Sequence, residues 1–97
     1  MMLLRERDTP EGLLVSVCDP DDLGETFETD GVSLTVEREF YSGREATAEE
    51  VVASLSRASV ANLVGTEAVG VAIENGFVEE TNVLEFEETR HAQYLRL

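Results

Sequence analysis

Ninety-seven residues, 42% of them hydrophobic, suffice for one small domain with its own core and set the chain apart from disordered sequences. One cysteine and one histidine exclude an internal disulfide framework and the usual zinc sites, and no apolar run nears the ~18 residues of a membrane span. Twenty-one acidic residues face seven basic ones, all arginine, for a formal net charge of −14.

In chain order, residues 2–7 and 12–18 read as two strands joined by the turn "DTPEG". "GLLVSVC" sets Leu13, Val15 and Val17 on one face, Leu14, Ser16 and Cys18 on the other. "DPDDLGETFETDG" is expected as a polar loop, with a helical turn begun by Asp19 and Pro20. "VSLTVE" alternates, with Val32, Leu34 and Val36 inward, and Gly43 in "FYSGRE" bends the chain away. At "TAEE" the period becomes helical. Thr47 with Glu50 three positions on is a capping-box pattern, followed by an apolar stripe of Val51, Val52, Leu55 and Ala58.

In "SVANLVGTEAVGVAIENG", Ala61, Leu63 and Val64 are expected to continue the helical run, with Gly65 separating it from a second helix. Thr66 reads as the N-cap of that helix, Ala68, Val69, Ala72 and Ile73 as its buried side, and Asn75-Gly76 as its end. Asn62 is expected to bond backbone near the glycine corner. "NVLEFEE" and "RHAQYLRL" return to strands. The sum is one α+β domain over residues 1–97: an antiparallel sheet of about five short strands, with two or three helices on one face.

The charge indicates a habitat. At ordinary ionic strength −14 on so small a domain causes strong self-repulsion. In 1 M salt the Debye length falls to about 3 Å and the repulsion largely vanishes. A lysine-free, carboxylate-rich surface therefore reads as adaptation to a salt-rich cytoplasm. The acids are scattered along the chain rather than gathered in a tail, which speaks against an acidic mimic of nucleic acid. The start "MMLLRERD" lacks a small-residue cleavage site, so a cytoplasmic protein is expected.

Several residues carry candidate chemistry. Cys18, Asp19 and His91 supply a thiol, an orienter and a base, although no spacing places them together. Arg38, Tyr41 and Arg44 around "EFYSG", with Arg90, His91 and Gln93 near the end, offer stacking and charge for a nucleic-acid contact. "LVGTEAVGVA" is loosely similar to a helix-hairpin-helix corner, where backbone N–H groups hold a phosphate. The customary Pro-Gly and second Gly are missing, however, and Glu67 would repel one.

The runs "VCDPDDLGETF", "FYSG", "ASVANLVGTEAV" and the ending "HAQYLRL" resemble the archaeal family called domain of unknown function 424, over nearly the whole chain. The acidic, lysine-free composition is similar to that of its haloarchaeal members. The resemblance implies a small α+β domain confined largely to archaea. It assigns no activity and carries over no site residues, but it suggests a setting around translation.

The leading expectation is a non-enzymatic binding module for RNA or a ribosome-associated protein, with neither metal nor cofactor. Its contact residues would be Arg38, Tyr41, Arg44, Asn62, Gly65, Arg90, His91 and Gln93. One alternative is a small hydrolase or transferase using Cys18 and His91. Another is a homo-oligomeric module that pairs exposed strand edges.

Overall fold

Alternation in the first eighteen residues builds the expected hairpin. β1 (Met2–Thr9) pairs antiparallel with β2 (Gly12–Cys18), in register from Leu3 opposite Cys18 to Thr9 opposite Gly12. The structure, a computed structural model, describes residues 1–96.

The stretch expected as a polar loop holds more order than its composition implied. A 3-10 turn at Pro20–Asp22 follows Asp19, and then β3 (Thr26–Thr29) pairs antiparallel with β4 (Val32–Thr35). Asp30 and Gly31 both take positive φ, 44° and 83°. An Asp-Gly turn of this kind matches the twist of a hairpin. The resulting two-stranded sheet is separate from the main one, and the inward pattern is corrected accordingly. Val36 is buried, but Val32, at the outer end of the ribbon, is 45% exposed.

A four-residue helix, α1 (Arg38–Tyr41), and β5 (Arg44–Ala46) lead to α2 (Ala48–Arg57). The capping box forms as expected: Glu50 N–H donates to Thr47 Oγ1 at 3.2 Å, and Thr47 N–H donates to Glu50 Oε1 at 2.9 Å. Val51 and Leu55 of α2 are fully buried, each worth about 1.5–3 kcal/mol of transfer free energy. Glu6 of β1 ties α2 down. It accepts from Ser54 Oγ at 2.6 Å and pairs with Arg57 at 2.7 Å. The Ser54 hydroxyl first, then Arg57, holds its carboxyl below the usual range despite partial burial.

The largest correction falls on residues 60–64. They form no helix but β6 (Val60–Val64), an interior strand of the sheet. Gly65, at φ +124°, then turns the chain from strand into α3 (Thr66–Glu74). Gly65 occupies the N-cap position and Thr66 lies inside the helix. Asn75 closes α3 as expected, its amide donating to Val71 O at 2.9 Å, and Gly76 follows at φ +77°. β7 (Leu84–Glu85) and β8 (Arg90–Leu95) complete the chain.

The main sheet has six strands in the order β5-β1-β2-β6-β8-β7. β2 and β6 run parallel at its centre, and every other pair is antiparallel. The expected five-stranded antiparallel sheet is therefore replaced by a mixed six-stranded sheet plus a hairpin. A parallel neighbour needs a crossover, and residues 19–59 with α2 supply it.

Two cores lie on opposite faces. One buries Met2, Leu4, Val15, Val17, Ala61 and Leu63 under α2 and α3. The other gathers Cys18, Val36, Tyr41 and Val64, with Leu3, Phe27, Leu34 and Phe40 packed against them. The β3–β4 hairpin and α1 thus cover the second face, so the helices are not confined to one side. Among the described residues no helix is long and apolar enough to cross a membrane.

Candidate functional site

The second sheet face is only half covered. Pairing aligns its side chains in three rows across β1, β2, β6 and β8. Leu3, Cys18, Val64 and His91 form the row beneath the hairpin and α1. Next comes Arg5, Ser16, Asn62 and Gln93; then Arg7, Leu14, Val60 and Leu95. None of these positions in the four strands holds a carboxylate, in a chain with 21 acidic residues. The outer part of this face, carrying Gln93 and Leu95 in solvent and Asn62 half-buried, forms a polar and apolar surface with a cationic border.

Arg5 and Arg7 make that border. Arg5 Nη1 and Arg7 Nη2 each donate to the same oxygen, Glu39 O, at 2.6 Å, so α1 is held to β1 through one carbonyl. The Arg7 guanidinium also lies 4.9 Å from the Phe40 ring centre, a cation–π distance. Among the described residues neither arginine has a carboxylate partner within ion-pair distance. Arg44, Arg57 and Arg90 do: Glu50 at 3.3 Å, Glu6 at 2.7 Å, and Glu85 at 3.1 Å with Glu80 at 3.6 Å. Beside Arg5 in its row, Ser16 Oγ is fully buried without a hydrogen-bond partner among the described residues. Such a group costs about 1–3 kcal/mol.

The eight residues expected as contacts do not form one surface. Asn62, His91 and Gln93 share the second face. Tyr41 is only 5% exposed and serves the core, where burial first, with Cys18 nearby, pushes its phenol up to about 12. Arg44 and Arg90 are bound in ion pairs, and Arg38 lies exposed on α1 with its guanidinium against Gly24. Asn62 lies along a strand opposite Gln93 rather than at a helix corner.

Gly65 has an architectural task. A Cβ there would stand 2.2 Å from Asp19 Cγ. The Asp19 carboxylate fills that space to accept from Glu67 N–H and Ala68 N–H, both at 2.9 Å. The N-terminal donors of α3 are satisfied by a side chain reaching over from the end of β2, leaving the corner closed to a phosphate.

Cys18 and His91 lie in one row, but Val64 stands between them. Two strand spacings separate them by about 10 Å, beyond proton transfer. The Cys18 thiol is buried, lies 3.9 Å from Tyr41 O, and is pushed up to about 12 by desolvation, then by Asp19 and Asp22. His91 is half-buried, and desolvation holds its imidazole below the ordinary value of 6.5. The geometry assembles no thiol–imidazole pair. Among the described residues no group of three or more His, Cys, Asp or Glu is placed to hold a metal.

Sequence reasoning missed Arg5, Arg7 and Ser16. The signal was present in "LLRERDT", where alternation puts both arginines on the face away from Glu6 and Asp8.

Fold and site define a small α+β domain whose mixed sheet is sealed by two helices on one face and half open on the other. The chain belongs to the family described as "Protein of unknown function (DUF424)", which matches residues 6–97. Among solved structures it is similar to the crystal structure of an uncharacterized conserved protein from Methanopyrus kandleri. Identity is 23%, the TM-score is 0.76, and the match covers 99% of this chain and 94% of that one, a likeness of fold. No curated protein matches the chain.

Proposed function

We propose that the protein is a non-enzymatic module of a salt-rich archaeal cytoplasm that lays the open half of its second sheet face on RNA, with the ribosome as the first place to look. One observation carries this reading: β1, β2, β6 and β8 present a face without carboxylates and with two arginines, in a chain of net charge −14. In molar salt charges act only at contact range, about 3 Å, so a polyanion can lie directly on this face without meeting a carboxylate from the four strands. Asn62 and Gln93 can hydrogen-bond base edges, and Val60 and Leu95 supply apolar contact.

The test places carboxylates on the face. Gln93 is exposed, so Gln93→Glu should fold normally. With Asn62→Asp added, association with single-stranded RNA in molar potassium chloride should weaken at least tenfold. Equal binding by wild type and variant refutes the reading, as does a wild type that retains proteins but no RNA from a native-salt extract.

A homo-oligomeric module is favoured by one feature. Among the described residues no strand pairs with the outer edge of β8 at Ala92–Leu95, where Leu95 is 56% exposed. A concentration-independent monomer mass in molar salt dismisses it.

A further inference from the structure

We propose that Arg5 and Arg7 form a phosphate-binding pair at the edge of the open sheet face. This deepens the RNA reading by naming the group recognised, but the site can be tested apart from that reading. Both guanidinium groups reach the same carbonyl oxygen at 2.6 Å, so the donating nitrogens stand within about 5 Å of each other. Like charges at this separation repel, and the single neutral oxygen between them does not cancel that repulsion.

Twenty-one carboxylates were available to neutralise the pair, and three other arginines have taken such partners. Here none is within ion-pair distance among the described residues. The exposed Glu37 and Glu39 side chains line the same depression of about 630 Å³, with Phe40. Among the described residues neither carboxylate comes within ion-pair distance of the two cations.

A guanidinium has five N–H donors in a planar fork. Among the described residues each of these two uses one, on Glu39 O. The remaining donors suit a tetrahedral oxyanion, which two forks can hold from two sides. The Phe40 ring beneath Arg7 orients one fork, and both side chains are half-buried, so little freedom is lost on binding.

A phosphodiester of RNA and free phosphate share this chemistry, and the experiment separates them. The Nε–Hε resonances of both arginines are followed during titration with inorganic phosphate and, separately, with a short single-stranded RNA. Arg5→Gln/Arg7→Gln is compared with Arg44→Gln, which removes charge from a paired arginine. Should the double variant lose α1, Arg5→Lys/Arg7→Lys keeps the charge and removes the forks.

Saturable shifts with both probes are expected. The double variant should bind RNA at least tenfold more weakly, its plot of log affinity against log salt flatter by about 1.4, about 0.7 per lost phosphate contact. Arg44→Gln should leave both unchanged. If phosphate saturates the pair but wild type binds no RNA, the site stands and the RNA reading falls. If RNA binds with the same affinity and salt slope after the pair is removed, the phosphate site is refuted and the RNA face survives. Silence toward both probes overturns both.

Discussion

Asp19 and Gly65 illustrate how tightly one residue can determine another. The carboxylate of Asp19 caps two donors of α3, and its oxygens stand where any Cβ on residue 65 would go. Asp19→Ala should cost about 1–2 kcal/mol, as the loss of a strong cap does. Gly65→Ala should cost about 1–3 kcal/mol through positive φ, plus whatever the displaced carboxylate loses. Because Asp19→Ala also vacates the space, the double variant should cost clearly less than the two singles together. Denaturant unfolding in molar potassium chloride measures this, and strict additivity would contradict the shared space.

His91 makes stability depend on pH. Burial holds its folded pKa below the unfolded value of 6.5, so the unfolded chain takes up the proton first as pH falls. Its contribution to stability is complete above about pH 6.5 and is lost as pH falls through the folded value. His91→Gln should flatten stability against pH in that window. A histidine ring titrating at or above 6.5 by NMR would contradict it.

Among the elements, those with their own chemical punctuation were legible. The capping box placed the start of α2, and Asn75-Gly76 placed the end of α3. Thr47→Ala should therefore lower stability by about 1 kcal/mol, read as a shift in the urea midpoint at unchanged slope. An effect below a few tenths would mean that the box adds nothing. β6 was not legible, because Val60, Ala61, Leu63 and Val64 fit a buried helical turn as well as a strand covered on both faces. β3 was hidden by polarity, its only large apolar residue being Phe27, although Asp30-Gly31 announced its hairpin. Arg5 and Arg7 were visible as alternation, but nothing local could say that α1 would bring a carbonyl to both.

Across the whole molecule, charge governs stability in solution. With −14 on 97 residues, the compact state repels itself in dilute buffer and is relieved by screening. The midpoint of thermal unfolding should climb steadily as potassium chloride rises from dilute to molar. A protein equally stable at both extremes would remove the basis for a brine habitat. The α+β class was legible from the succession of strands, helices and strands, whereas strand order was not. Order depends on which distant segments meet, and no local pattern records the parallel pairing of β2 with β6.

That pairing also sets a timescale. Every rung of the central ladder joins positions 46 apart in the chain, as Leu14 and Val60 are. β1 and β2 can zip from their own turn, on the order of microseconds for a hairpin. Joining this pair to β6 requires closing the whole intervening loop before any rung rewards it. The join at β6 should therefore follow the hairpin in refolding, and until it forms the β6-facing edge of β2 is left unpaired in the folding chain.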